Sequence, residues 1–319
     1  MKILVTGGAG FIGSHVVEAY LGRGHRVAVV DDLSTGSRGN LPEGAVFYHE
    51  DIRSKEIDRI IEREQPEVLN HHAAQASVPR SVTDPVHDAD VNLCGFLNLL
   101  ESVVRHGVGK VIFISSGGAV YGDAEEYPTS EDCPPRPLSP YAVAKYASEY
   151  YLGCYRHQHG LDFTVLRYAN VYGPRQVPHG EAGVVSIFMD NLANERPSVL
   201  NHFPDDEAGM VRDYTYVGDV AEANVAALDR GEGELINIGT GEGTKTAELY
   251  RAVYEAFRRM RPSTPDLLSR PESRPARPGD IPRSRLRVER ADRVLGWRPR
   301  TSLEEGIQRT LLWRLGQSY

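Results

Sequence analysis

Lys2-Ile3-Leu4-Val5-Thr6-Gly7-Gly8-Ala9-Gly10-Phe11-Ile12-Gly13-Ser14-His15 decides the fold of this chain. Its apolar start predicts a short strand covered on both faces. A helical pattern from Phe11 to Leu21 follows, with Gly7, Gly10 and Gly13 at the junction. Placed there, the spacing G-x-x-G-x-x-G has a physical use. Glycine lets the chain turn tightly, lets main-chain amides approach a pyrophosphate, and lets the helix pack close on the strand. The pyrophosphate then rests on the positive end of the helix. A glycine-rich turn alone joins many strands to helices without any ligand, so the next strand matters. It ends on Asp31, 18 residues beyond Gly13, where a carboxylate can bond both hydroxyls of an adenosine ribose. An acid there repels a 2′-phosphate and favours NAD over NADP; Arg38 is only a distant basic residue. Gly7, Gly10, Phe11, Ile12, Gly13, Asp31 and Asp32 are the expected cofactor contacts. Asp51-Ile52, after the third strand, is placed to reach the adenine.

Outward from this unit, β-branched runs recur at Arg26–Asp31, Ala45–His49, Glu67–His71, Lys110–Ser115 and Phe163–Arg167. Helical patterns alternate with them at Ser54–Arg63, Val91–Arg105 and Tyr141–His157. Such alternation predicts an α/β fold, a doubly wound parallel sheet of the Rossmann type, over residues 1–172. After Tyr172 the rhythm breaks. Gly-Pro-Arg-Gln at 173–176 reads as a turn, and 196–210 is irregular around an acidic stretch. Residues 261–285 contain six prolines, which argues for extended chain. Ser302–Leu315 reads as an amphipathic helix packing back on the body. Residues 173–319 are therefore assigned mainly to a smaller C-terminal α/β substrate domain, with room for part of this segment to return to the first.

Composition narrows the function. At 319 residues the length prior is about two domains. A net charge of −8 and a pI near 5.8 disfavour a nucleic-acid partner. A small diphosphate remains accessible, since it needs only a few arginines and a helix N-terminus. No uncharged apolar run approaches the roughly 18 residues of a membrane helix, and the apolar start is too short for a leader. Cys94, Cys133 and Cys154 are odd in number and form no C-x-x-C pair, which fits reduced thiols in a cytoplasm. Adjacent His71 and His72 point to opposite faces of a strand, so no metal is expected.

Tyr141-Ala142-Val143-Ala144-Lys145 supplies the chemistry. Residues four apart share one helix face, so the phenol and the ammonium can enter one site. A free tyrosine titrates near pH ~10; a lysine charge and an oxidised nicotinamide would both favour the phenolate. By itself the spacing is common and more often marks a surface pair. Here it follows Ser139-Pro140, and Ser115-Ser116 ends the fifth strand, where ligands bind in such sheets. A hydroxyl, a phenol and an ammonium beside the cofactor make an alcohol–ketone site.

At this point the chain resembles an extended short-chain dehydrogenase/reductase and, within that group, the bacterial UDP-glucose 4-epimerases. Beyond the motifs above, the markers are His72-Ala73-Ala74-Gln75-Ala76-Ser77-Val78, Ser115 through Gly122, Leu166 through Arg175, Val211-Arg212-Asp213-Tyr214, Arg277-Pro278-Gly279-Asp280 and Leu295-Gly296-Trp297. The resemblance implies that Tyr141 is the base and Lys145 its electrostatic partner. Ala73, Ala74 and Asn92 match cofactor positions. Asn170, Arg212, Tyr214, Arg277 and Asp280 match residues that hold a uridine diphosphate. The family's strand-end hydroxyl falls on Gly117, which has none, so the role passes to Ser116, with Ser115 as the other choice. Where the family has a short Gly-Asp-Gly turn, Asn201 through Met210 forms a longer acidic loop, expected over the sugar and diphosphate.

The implied activity is interconversion of UDP-glucose and UDP-galactose through a transient 4-keto sugar with bound NAD, in a homodimer formed by the helices around Val91–Arg105 and Tyr141–His157. Epimerisation of a UDP-N-acetylhexosamine or UDP-glucuronate, or decarboxylation of the latter, stays open. A 4,6-dehydratase would need an acid pair where Gly118-Ala119 stands. A non-enzymatic dinucleotide sensor on the same fold could dispense with Tyr141 or Lys145, yet both are present.

Overall fold

The computed structural model describes residues 1–178, 183–277 and 279–316. Its first half supplies β1 (Lys2–Thr6), β2 (Arg26–Asp31), β3 (Val46–His49), β4 (Val68–His71), β5 (Lys110–Ser116) and β6 (Asp162–Tyr168). Between these strands run α1 (Phe11–Gly22), α2 (Glu56–Glu64), α3 (Val78–Thr83), α4 (Pro85–Ala89), α5 (Gly95–Arg105) and α6 (Pro140–His159). The second half adds β7 (Asn170–Tyr172), α7 (Val184–Ala193), β8 (Val199–His202), β9 (Val211–Arg212), β10 (Tyr214–Tyr216) and α8 (Val217–Ala227). It continues through β11 (Glu234–Ile238), β12 (Thr244–Lys245), α9 (Thr246–Met260), β13 (Glu272–Pro275), β14 (Arg283–Ser284), α10 (Glu289–Leu295) and α11 (Leu303–Arg314).

Seven strands form one parallel sheet in the order β3-β2-β1-β4-β5-β6-β11. The order reverses direction between β1 and β4. Helices leave to opposite faces there, and a crevice opens at the strands' carboxyl ends. On one face, Val16, Val17 and Tyr20 of α1 pack with Val220 and Ala223 of α8 and with Leu295 of α10. On the other, Ile57 and Ile61 of α2 meet Phe96, Leu99 and Leu100 of α5 and Leu152 of α6. A third core joins Phe188 of α7, Val253 and Phe257 of α9, and Ile307 and Leu311 of α11.

The chain does not divide cleanly at residue 172. β11 pairs with β6 from Glu234–Thr164 to Ile238–Tyr168. It thereby satisfies the outer ladder groups of β6, which would otherwise be a bare edge. α8 and α10 come back with it, so the smaller part is built from the interleaved remainder. The proline-rich stretch is extended, and it is paired: β13 runs beside β8 and β14 beside β9. The expected helix from Val91 begins as a π-helical turn, Asp90–Cys94, before α5. Such turns carry one extra residue and recur at functional sites.

Candidate active site

The glycine loop brings three pieces of chain together. Gly7 has φ +68°, and a Cβ on it would lie 2.5 Å from the Ala73 nitrogen. A Cβ on Gly13 would lie 2.2 Å from the Gly7 carbonyl oxygen. Only glycine allows β1, α1 and the segment after β4 to meet this closely. Gly10 is then the N-cap of α1, with no side-chain cap. The first-turn amides have no partner within the helix, and Gly10, Phe11, Ile12 and Gly13 line a cleft of about 1450 Å³. That exceeds the roughly 300–1,000 Å³ of an ordinary small-ligand pocket, leaving room for a dinucleotide and a second ligand. An uncapped helix start behind a glycine cradle fits the diphosphate of such a cofactor.

Asp31 lines the cleft and also builds it. Its two carboxylate oxygens accept from Ala9 N and Leu33 N, each at 2.9 Å, which ties the glycine loop to the end of β2. Burial raises the carboxyl above its usual range, and the two amide bonds oppose this. Each oxygen keeps acceptor capacity for a ribose hydroxyl. A Cβ on Gly36 would come within 3.0 Å of Oδ1, so the space beside this acid is confined. Asp32 is exposed, and its side chain accepts from Ser34 N at 2.9 Å. Asp51 lines the cleft, but its carboxylate pairs with Arg53 at 2.5 Å and is held below the usual range by that bond. Beside it, Ile52 is buried in the core under Gly95.

Asn92 departs from expectation: among the described residues it does not line the cleft. It is buried in the π-helical turn, where Oδ1 accepts from Gln75 N at 2.9 Å. Its Nδ2 donates to Gln75 O at 2.9 Å and to Asp88 Oδ1 at 3.0 Å. The amide thus clamps the segment that carries Ala73 and Ala74, both of which line the cleft.

At the other end of this half, Ser139 caps α6 by accepting from Ala142 N, and Pro140 occupies its first turn. Tyr141 and Lys145 follow one helical turn apart, beside the end of β5. Lys145 Nζ donates to the Ile114 carbonyl at 2.9 Å and lies 4.9 Å from the centre of the Phe113 ring. Burial pulls Lys145 down to about 8, against the opposing pull of Asp88 and Glu149. Tyr141 does not behave as the spacing alone predicts. Burial pushes its phenol up to about 12, a hydrogen bond with Ser116 acts the other way, and Asp88 adds to the rise. The protein by itself therefore keeps the phenol protonated.

The two strand-end serines are not equivalent. Ser115 Oγ donates to Glu149 Oε1 at 2.6 Å inside a buried network, whereas Ser116 reaches Tyr141. Gly117 has its own reason: a Cβ there would lie 2.6 Å from Leu286 Cδ1 and 3.2 Å from the Arg167 carbonyl oxygen. Restoring the family hydroxyl with Gly117→Ser is expected to destabilise the protein by about 1–3 kcal/mol, because buried Leu286 must move. Thermal unfolding checks this; an unchanged midpoint would show that Leu286 yields freely.

The other part of the cleft begins at β7, whose Asn170 faces Tyr214 across the β7–β10 ladder and donates its N–H to Asp213 O at 2.9 Å. Arg212 donates to Val211 O at 2.8 Å and Ile281 O at 3.0 Å, and burial lowers its pKa. Arg277 and Asp280 pair with each other, at 2.9 Å from the backbone N and 3.2 Å from Nε. Each of these five residues lines the cleft. Pro278, part of the same motif, lies outside the described residues. The acidic loop departs from expectation. Asn201 and Met210 line the cleft, but Asp205, Asp206 and Glu207 do not, and Asp206 turns away to Lys245 at 3.0 Å.

Several neighbours carry no motif of their own. His72 lines the cleft, burial and the Lys145 charge lower it to about 3, and its Nε2 has no partner among the described residues. His71 faces away, bonded to Thr6 at 2.7 Å and stacked on Phe96. Glu149 stands four residues beyond Lys145, and that spacing was a readable signal. Asp88 had none, because a turn and a separate short helix place it.

Comparison with known proteins agrees with this geometry. Residues 3–239 match the NAD dependent epimerase/dehydratase family. A UDP-glucose 4-epimerase of Mycolicibacterium smegmatis is 46% identical over 317 residues, covering 98% of this chain and 97% of its own. The crystal structure of a Thermus thermophilus UDP-glucose 4-epimerase in complex with NAD is 49% identical, with a TM-score of 0.90 over 100% of both chains. That of a Thermotoga maritima UDP-glucose 4-epimerase with UDP-glucose is 45% identical, with a TM-score of 0.91 over 99% of each. With its Rossmann sheet, glycine loop, Asp31 and Tyr141–Lys145 pair, the chain belongs to the NAD dependent epimerase/dehydratase family.

Proposed function

We propose that this protein is a UDP-hexose 4-epimerase that interconverts UDP-glucose and UDP-galactose through a transient 4-keto sugar. The observation that carries this reading is the single cleft. It joins the glycine loop and the Ser116–Tyr141–Lys145 group to Asn170, Arg212, Tyr214, Arg277 and Asp280. The relatives named for that reaction extend over nearly the whole chain. NAD, when bound, supplies reversible two-electron oxidation at C4 of the sugar.

The rest is done by side chains. Tyr141 accepts the C4 hydroxyl proton and later returns it, while Ser116 aligns that hydroxyl with the phenol. Lys145 stabilises the phenolate and bonds the nicotinamide ribose. The burial that raises Tyr141 to about 12 means that added positive charge is needed before it can act as a base at neutrality. Gly7, Gly10, Phe11, Ile12 and Gly13 receive the diphosphate of the cofactor. Asp31 takes the adenosine ribose, with Asp32, Asp51 and Ile52 nearby. Ala73 and Ala74 line the same cleft beside the glycine loop, and Asn92 acts on them through Gln75. Arg212 and Arg277 grip the substrate diphosphate, with Asn170, Tyr214 and Asp280 on the uridine side. A grip on the nucleotide alone leaves the hexose free to present its other face, as inversion at C4 requires.

Two features extend the proposal. α6 exposes Val143, Tyr150 and Tyr151, an apolar face suited to a second copy of the chain. Cys94 and Cys154 are free and exposed, which suits a cytoplasm, and no helix among the described residues is long and apolar enough to cross a membrane. The test is to incubate purified protein with UDP-galactose and no added NAD. UDP-glucose should form. Failure with this pair, alongside turnover of UDP-glucuronate or UDP-N-acetylglucosamine, would replace the substrate assignment. A requirement for NADP would refute the role of Asp31.

A further inference from the structure

Lys145 stands on α6, against which α4 packs, and each of these helices carries a buried carboxylate, Glu149 on α6 and Asp88 on α4. Glu149 is already balanced: Arg167 holds it at 3.0 Å through Nε and 2.5 Å through Nη2, and Ser115 adds a third bond. Asp88 of α4 is 1% exposed and has no cation bonded to it among the described residues. Its Oδ1 accepts from two neutral amides, Gln75 Nε2 at 2.8 Å and Asn92 Nδ2 at 3.0 Å. Its Oδ2 is buried with no partner among the described residues. Lys145 is the reverse case, a buried ammonium whose hydrogen bond goes to a neutral carbonyl. A buried charge with only neutral partners carries a desolvation cost that an opposite charge nearby can offset.

We propose that Asp88 is the counter-charge of Lys145, a positioning residue that also fixes the Ala73–Ser77 segment through the Gln75–Asn92 clamp. The inference rests on the roles proposed above for Tyr141 and Lys145. The other groups around this pair do not supply the missing charge. His71 and His72 of β4 are both lowered by burial and by Lys145 itself, which leaves them neutral. Ser116 of β5 is uncharged, and Glu149 along α6 is balanced by Arg167 of β6. Asp88 is the net negative group that remains, and its charge favours the protonated forms of both Tyr141 and Lys145.

Asp88→Asn tests this, because the amide oxygen can still accept from Gln75 and Asn92 while the charge is gone. Both groups should then lose their protons more readily. The two limbs of the kcat–pH profile should move together to lower pH, by about one unit. Asp88→Glu, which keeps the charge, should restore the profile. A rate that falls at every pH with both limbs unmoved would mean a merely structural residue and overturn the proposal. A second readout needs no turnover. Competitive labelling of the full-length protein with acetic anhydride, quantified on the Lys145 peptide, titrates the ammonium directly. Its midpoint should fall by about one unit in Asp88→Asn, and equal midpoints would overturn the counter-charge. This arm holds even if the substrate assignment fails, so the two failures are distinguishable. If Asp88→Asn does not fold, Asp88→Ser makes the same comparison.

Discussion

Tyr141→Phe is expected to lower kcat for UDP-galactose by about 10²–10⁴-fold, the usual contribution of a positioned acid–base group. The cofactor should remain bound. Tyr141 is half-buried at the start of α6, and the change removes one hydroxyl from a ring that keeps its packing. The phenol is the group that Ser116 approaches and the one aligned with Lys145 along the helix. Its loss would delete the proposed proton acceptor and leave the glycine loop, Asp31, Arg212 and Arg277 in place. Single-turnover assays, with NAD content measured on the same preparation, give the answer. A variant with near-normal kcat would rule out Tyr141 as the base. A variant that loses NAD would show that the ring chiefly holds the cofactor.

The second large effect concerns stability. Glu149→Ala should destabilise the fold by about 3–5 kcal/mol, because it strands a buried guanidinium. The side chains of Arg167 and Glu149 are 3% and 2% exposed. The pair also organises its surroundings. Arg167 Nη1 donates to Tyr121 Oη at 2.8 Å, Tyr121 donates to Asn237 Oδ1 at 2.8 Å, and Ser115 donates to Glu149. β5, β6, β11 and α6 thus meet in one polar network close to Ser116 and Lys145. Urea unfolding of Glu149→Ala should show a markedly lower midpoint. Removing an exposed pair such as Arg59–Glu56 should leave the midpoint almost unmoved. Similar midpoints for the two variants would show that the buried pair contributes nothing beyond its packing.

Much of the fold was legible because its signals are local. The alternation of β-branched runs and 3.6-period helices placed six strands and their helices to within a few residues, since those periods depend only on which faces are buried. β11 escaped that reading. Leu235, Ile236 and Ile238 make a short apolar run that looks like any other, and only the open edge of β6 gives it a partner. The acidic loop misled for a similar reason. The family resemblance set it over the sugar and diphosphate, but the direction of Asp206 depended on Lys245, which is distant in sequence.

Local sequence was enough to specify the dinucleotide unit, because a glycine that must turn, an uncapped helix start and an acid ending the next strand are needs of neighbouring backbone. It was also enough for the Tyr141–Lys145 face, because four residues make about one helical turn. What distinguishes Ser115 from Ser116 is packing, since Glu149 bonds the first. Packing also gave Gly117 its reason in Leu286, bonded Asn92 to Gln75, and set Asp88 against both. Burial and long-range charge belong to the packed molecule, where segments far apart in sequence share one low-dielectric interior.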